Sequence, residues 1–159
     1  DTGRTKRGYF VEGLGGAQFA TGGAVDRMRA LSEPSSRAPD AYVIAATDPA
    51  NPFGAALPWP DKDGGHRPGR KAGAIVVVVD GTLILYVERG GKTLLSFTDD
   101  ERRIVPAVEA LALAAREGVL GRLAVERADG GSVLDDSPLA RALVEAGFKP
   151  TSRGLRLRA

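Results

Sequence analysis

The side chains best suited to chemistry lie in one segment, residues 48–71, with the sequence DPANPFGAALPWPDKDGGHRPGRK. Asp48, Asp61 and Asp63 are carboxylates of the kind used in general acid–base catalysis, which requires a pocket and a tuned pKa. Asp-Pro and Asp-Gly steps are also common turn formers, and the sequence shows no partner for proton transfer. The turn interpretation is therefore favoured, and Asp48 is the catalytic candidate among the three.

Aromatic and basic residues in the same segment indicate a second kind of chemistry. Trp59 precedes Arg67, Arg70 and Lys71, and single-stranded nucleic acid binds where bases stack on aromatic rings and cations follow the phosphates. Alternatively, the ring covers an apolar sheet and the cations are only solvated. Both interpretations stay open for Trp59, whereas Phe53 is favoured as a core residue.

The same segment is too long to be an ordinary connection between strands. Connections usually run to about 4–6 residues, and structureless loops beyond about 12–15 are functional or disordered. The segment holds five of the ten prolines and the single Trp and His of the chain, and proline restricts both itself and its predecessor. We therefore predict a semi-rigid basic surface loop, in which His66 is an exposed residue and not a metal ligand.

Composition limits the remaining possibilities. The 159 residues are 43% hydrophobic, which predicts one domain with a core. The net charge of +2 permits nucleic-acid binding without demonstrating it. With no Cys and one His, neither a thiolate site nor a histidine cluster can form, so no metal is predicted. In the last predicted strand, Leu155 and Leu157 lie on one face and Arg156 and Arg158 on the other. These two arginines are added to the candidate nucleic-acid-binding residues.

Local patterns position these residues. Asp80-Gly81 lies between apolar runs and predicts a type I′ hairpin within a three-stranded meander at 74–97. The first strand of this meander is entirely apolar, which predicts a central position in the sheet. Ser137 followed by Pro138 predicts a helix start, and Gly147 its end. Further elements are predicted at these positions: strands at 7–14, 41–46, 122–128 and 154–159, and a helix at 23–31.

One more helix is predicted after the meander, with two possible starts. Thr98 and Glu101 have the spacing of a capping box. Pro106 conflicts with one unbroken helix, so either the helix begins near Val105 with proline in its first turn or it is kinked at the proline.

These elements predict an α+β fold with a mainly antiparallel, strongly curled sheet or β-barrel of about seven strands and two to three helices. Two helices cannot cover both faces of a seven-stranded sheet, and curling of the sheet would bury the apolar surface that they leave exposed. Residues 1–7 are polar and basic and predict a linker from a preceding domain, and residues 8–159 a single barrel-like C-terminal domain.

Four phrases in order resemble one family: RGYFVEGLGGAQFA, AATDPANPFGAALPWP, GRKAGAIVVVVDGTLILYVERGGKTLL and GFKPTSRGLRLR. They resemble the C-terminal end of the long form of bacterial large helicase-related (Lhr) ATP-dependent DNA helicases. The resemblance spans nearly the whole chain. It implies a terminal β-barrel that follows winged-helix domains, an arrangement similar to AlkZ-type DNA glycosylases.

The resemblance also implies a function for the parent protein, which is 3′-to-5′ translocation on single-stranded DNA, driven by ATP hydrolysis and linked to DNA repair. ATP and Mg²⁺ belong to the parent's motor domains, and this chain lacks the Walker A and Asp-Glu-x-His motifs, so no cofactor is expected here. The implied location is the bacterial cytoplasm, associated with the nucleoid. The implied partners are single-stranded DNA or an RNA:DNA hybrid, neighbouring winged-helix domains and a possible homo-oligomer.

Three hypotheses follow for the chain itself. The first is a non-catalytic module that contributes to nucleic-acid engagement or domain assembly. The second is part of a uracil-DNA glycosylase unit, for which Asp48 is the candidate. The Gln-x-Gln motif of the AlkZ-type enzymes is absent, since Gln18 is the single Gln. The third is a purely structural docking or oligomerisation domain.

Overall fold

A computed structural model describes residues 4–32, 38–62 and 66–157. The chain divides into two compact units, an N-terminal unit of Asp1–Ala38 and a C-terminal unit of Pro39–Ala159. The division predicted from the sequence, a linker at 1–7 and one domain at 8–159, stays a prediction. No helix in the described ranges is both long enough and apolar enough to cross a membrane.

The N-terminal unit is a hairpin followed by a helix. Strand β1 (Thr5–Gly8) pairs antiparallel with β2 (Gln18–Thr21), and α1 (Gly22–Ser32) follows directly. Buried Gln18 organises the connection, because its Oε1 accepts the N–H groups of Phe10 (2.7 Å) and Val11 (2.8 Å). The helix predicted at 23–31 is confirmed. The strand predicted at 7–14 is wrong for most of its length, because β1 ends at Gly8 and only residues 7 and 8 of the predicted range lie in it.

Among its described residues, the C-terminal unit contains a six-stranded sheet, a three-stranded sheet and two helices. Its elements in chain order are β3 (Ala41–Ala45), β4 (Ile75–Val79), β5 (Thr82–Val87), β6 (Thr93–Ser96), α2 (Glu101–Arg116), β7 (Ala124–Val125), β8 (Arg127–Ala128), β9 (Gly131–Ser132), α3 (Pro138–Glu145), β10 (Phe148–Thr151) and β11 (Gly154–Leu157). The large sheet has the order β3-β4-β5-β6-β8-β9, and the small one β10-β11-β7. Only β6 and β8 pair in parallel among the pairs in these sheets.

The predicted meander is confirmed in detail. Asp80 (φ 46°) and Gly81 (φ 78°) both have the positive φ that a type I′ turn requires. Strand β4 is interior, as predicted, and its valines alternate between two buried sides. The pairing of β4 with β5 shifts register after Val77, so that the adjacent residues Ile84 and Leu85 both face the helices. The run LILYV, residues 83–87, therefore has buried positions on both sides.

Most of the residues predicted to begin or end the helices have that role in the structure. Ser137 caps α3 by accepting the N–H of Ala140 at 3.0 Å, and Gly147 (φ 98°) follows its C-terminus. The predicted capping box of Thr98 with Glu101 is wrong. Asp100 is the N-cap of α2 instead, with Oδ1 accepting the N–H of Arg102 at 3.1 Å.

The start of α2 also differs from one of the predicted alternatives. The helix begins at Glu101, four residues before Val105, and Pro106 lies inside it. Proline has no N–H, so the carbonyl of Arg102 lacks its usual intrahelical donor. The loss of one hydrogen bond is tolerated because Ile104, Val108 and neighbouring residues bury this face of the helix completely.

The predicted strongly curled sheet or β-barrel is wrong. The α+β composition is observed, but the described strands form separate sheets of two, three and six strands, and none of them closes on itself. One face of the six-stranded sheet packs against α2, α3 and the small sheet. The other face is covered by the long loop, residues 48–71, through Phe53 and Trp59. Because the loop buries this second face, the sheet does not need to close into a barrel to bury its apolar side chains.

Candidate nucleic-acid interface

The long loop lies on the sheet with its aromatic residues directed inward. Trp59 is half-buried, and its ring meets that of Tyr86 edge to face, with centroids 5.7 Å apart and planes at 76°. Its Nε1 also lies against Gly54, where φ is +73° and an added Cβ would approach to 2.3 Å. The predicted core position of Phe53 is observed as well. The structure thus supports the covering role for Trp59, while contact with nucleic acid at this residue stays a prediction.

Arg70 holds the first half of the loop together. Its Nη1 donates to the carbonyl of Asn51 (2.7 Å), and its Nη2 donates to the carbonyls of Thr47 and Asp48 (both 3.1 Å). Asn51, which is 1% exposed, adds a bond from Nδ2 to the carbonyl of Ala46 at 2.9 Å. A chain segment lying on an apolar face must satisfy its own carbonyls, and these two side chains do so.

Lys71 and His66 converge on one carboxylate. Glu88 Oε2 lies 2.6 Å from His66 Nε2 and 3.2 Å from Lys71 Nζ, and the Tyr86 hydroxyl donates to it at 3.4 Å. Burial alone raises the pKa of Glu88, but hydrogen bonds and charge from Lys71 and His66 outweigh it and lower the pKa. Burial, followed by the charge of Glu88, raises the pKa of Tyr86 to about 12. The C-terminal end of the loop is therefore held by an ion pair to Glu88, the residue that follows β5.

Lys62 forms a second clasp, which the sequence does not indicate. Its Nζ pairs with Asp129 Oδ1 at 2.8 Å and donates to the backbone carbonyl of buried Ser96. The Ser96 hydroxyl donates in turn to Asp129 Oδ2 at 2.6 Å. Lys62 and Asp129 are 67 residues apart and lie on different loops, so no local spacing pattern predicts this contact.

The acidic candidates of the loop do not converge on a common site. Asp48 Oδ1 accepts the N–H of Ala50 at 2.8 Å, the geometry of an Asx turn, which is the turn-forming role favoured from the sequence. Asp61 is exposed. Asp63 lies outside the described residues. In the ranges that the structure describes, no group of three His, Asp or Glu residues could hold a metal ion.

Two of the predicted nucleic-acid-binding cations are solvent-exposed and have no partner among the described residues. The side chains of Arg67 and Arg156 make no hydrogen bond or ion pair with any described residue. Arg70 and Lys71 are engaged as set out above, and Arg158 lies outside the described residues. The structure therefore does not gather the predicted cations into one surface, and their contact with nucleic acid stays a prediction.

Known proteins resemble both units. The family model for the winged-helix domain of the large helicase-related protein matches residues 1–40. The chain is 52% identical over 167 residues to "Lhr helicase/ probable uracil glycosylase" of Mycolicibacterium smegmatis, covering 99% of this chain and 11% of that protein. It is 40% identical over 158 residues to "Lhr helicase/uracil glycosylase" of Escherichia coli, covering 98% of this chain and 10% of that protein.

These similarities define a segment of a helicase-related protein, part of which matches a winged-helix domain. The chain belongs to the large helicase-related (Lhr) family. It spans about a tenth of the length of the curated relatives it matches, so it corresponds to a small part of a large protein. The family predicted from the four sequence phrases is confirmed.

Replacing Arg70 should loosen the loop. We expect Arg70→Gln to lower the free energy of unfolding by about 2 kcal/mol, because hydrogen bonds from a charged donor to several carbonyls are lost. Trp59 is the single Trp, so its quenching by acrylamide reports directly on the loop and should increase. Arg67→Gln is the matched control and should change stability by no more than about 0.5 kcal/mol. Equal quenching in both variants and the wild type would contradict the role given to Arg70.

The Glu88 clasp should make stability depend on pH. A carboxyl whose pKa is lowered by folding stabilises the fold above its ordinary pKa, and this contribution disappears as the pH falls through the folded-state value. We therefore expect Glu88→Gln to lower the Tm at pH 7, with the difference from wild type disappearing only as the pH falls below the ordinary glutamate value of 4.5. Glu109→Gln, an exposed site on α2, is the control. A Tm difference that is constant with pH would show that the charge of Glu88 is not responsible.

Proposed function

We propose that the chain is a non-motor module of an Lhr-type helicase that engages nucleic acid and contributes to the assembly of neighbouring domains. The observation that carries the proposal is the 52% and 40% identity over almost the whole chain to two proteins named as Lhr helicases. Single-stranded DNA and RNA:DNA hybrids are the proposed partners of the parent protein, and its ATP and Mg²⁺ are assigned to the motor domains. A role in DNA repair and a location in the bacterial cytoplasm are part of the same proposal.

The contacts of the long loop support a pre-organised binding surface more than a flexible binding arm. The described parts of the long loop, residues 48–62 and 66–71, are fastened by contacts of Arg70, of Lys62 and of Lys71 with Glu88, which restrict the conformations that these parts can adopt. A pre-organised surface loses little conformational entropy when a partner binds. Arg67 is exposed on the loop without a partner among the described residues, which suits contact with phosphate or with an adjoining domain.

Uracil removal is the second candidate function. It is favoured by the names of both curated relatives, which include uracil glycosylase. The carboxylate of Asp48 accepts a backbone N–H in a turn, so the structure gives this residue a role that requires no chemistry. The second candidate therefore depends on the parent protein as a whole, and Asp48 is the position in this chain at which it is tested.

The 159-residue chain should bind nucleic acid with a strong dependence on salt. We expect a fluorescein-labelled 20-nucleotide oligothymidine to bind with a Kd of about 1–100 μM at 50 mM salt, weakening as salt rises, because binding releases counterions. Fluorescence anisotropy measures both quantities, and an RNA:DNA hybrid of equal length is the second probe. Absence of a salt-dependent change up to about 100 μM protein would overturn nucleic-acid engagement by this chain.

Asp48→Asn tests the enzymatic candidate in the parent protein. Asn retains the oxygen that accepts the Ala50 N–H, so the turn should be preserved while the carboxylate is lost. If Asp48 is the acid or base, release of uracil from a uracil-containing oligonucleotide should fall by about 100-fold or more. We expect release to be unchanged, which would remove Asp48 from the reaction.

A further inference from the structure

A groove on the C-terminal unit, away from the long loop, is lined by cations from four separate segments. It has a volume of about 720 Å³ and lies between the end of α2, the connection that follows it and strands β10 and β11. Arg116, Arg122, Lys149 and Arg156 line it, and none of its lining residues is acidic. Four positive charges from a helix, a connection and two strands are thus brought to one concave surface.

The cations of the groove are mostly unneutralised. Arg122, Lys149 and Arg156 are exposed, and their side chains make no hydrogen bond or ion pair with any described residue. Lys149 and Arg156 are also directly opposite each other on β10 and β11. Like charges at opposed positions of an antiparallel pair repel and destabilise the sheet. Folding does not explain this pair, and an anion bound between the two side chains would offset their repulsion.

Arg116 differs because the fold positions it. Its Nη2 donates to the carbonyl of Ala146, at the end of α3, at 2.5 Å. The guanidinium lies so close to Gly147 that a Cβ there would approach Nη2 to 2.6 Å. This arrangement fixes one cation at the wall of the groove. It also opposes the negative C-terminal end of α2, equivalent to about half a charge, which would otherwise repel an anion.

We propose that this groove binds the phosphodiester backbone of a nucleic-acid strand. The proposal rests on the nucleic-acid engagement proposed above and gives it a location. No aromatic residue lines the groove, whose lining residues are all among those described, so bases do not stack there as they do on single-strand platforms. The contact is therefore with phosphates and independent of base sequence.

Neutralising the opposed pair tests the location. Each phosphate contact to a single strand contributes about 0.7 to the slope of log K against log salt, or about five-fold in affinity between 1 M and 0.1 M salt. Lys149→Gln with Arg156→Gln should therefore weaken oligothymidine binding about 25-fold at 0.1 M salt and reduce the slope by about 1.4. Arg122→Gln alone should weaken it about five-fold. Oligoadenosine of the same length should show the same losses.

The control removes the same charge elsewhere on the same unit. Arg89→Gln with Arg103→Gln, both exposed and outside the groove, should retain nearly all affinity. The groove variant should keep or raise the wild-type Tm, since it relieves a repulsion. If its Tm falls, Arg122→Gln, which lies in a connection, decides the test.

Other results would overturn the location. Wild-type binding that the groove variants leave unchanged, or that only Arg67→Gln weakens, would refute the groove while the proposed function stands. Binding no tighter than that of inorganic phosphate, measured by competition, would reassign the groove to a free anion. No binding by the wild type would refute both the location and the function.

Discussion

The structure depends on burying both faces of the meander formed by β4, β5 and β6. Their side chains are apolar on both sides, and the helices and the small sheet cover only one of them. On the other side, Val76, Leu83, Tyr86 and Leu95 are almost fully buried. Burial of one such side chain contributes about 1.5–3 kcal/mol. Exposure of all four would forfeit about 6–12 kcal/mol, which is comparable to the whole net stability of a typical domain. The long loop is therefore part of the core.

A loop that lies on an apolar face has to satisfy its polar groups without water, and this requirement explains its unusual composition. Prolines remove N–H donors and restrict the backbone, while Arg70 serves carbonyls that no strand pairs. Lys62 and Lys71 anchor the remainder through carboxylates on other parts of the unit. Aromatic and basic residues are thus expected in such a cover for structural reasons. The same residues are typical of single-strand binding surfaces, so composition alone could not separate the two roles.

The sequence predicted features that depend on neighbours in the chain and missed features that depend on distant contacts. The turn at Asp80-Gly81 and the helix start at Ser137 follow from local φ values and side-chain acceptors. The choice of Asp100 over Thr98 as N-cap shifts a boundary by two residues, within the usual uncertainty of such signals. The predicted barrel is wrong because a loop, and not only helices, covers the sheet, and no local pattern shows that Trp59 packs on Tyr86. Strand β10 was missed because Pro150 argues against a strand except at an edge, which is where β10 lies.

The surroundings of each cation show whether its charge stabilises the fold or is available to a ligand. In the long loop, Arg70 and Lys71 have protein partners at hydrogen-bonding distance, and a phosphate would have to displace those partners to bind. In the groove, Lys149 and Arg156 face each other across a strand pair without a carboxylate in the lining. A phosphate there replaces a repulsion with two attractions. We therefore place the proposed phosphate contact in the groove, even though the loop has the more suggestive sequence.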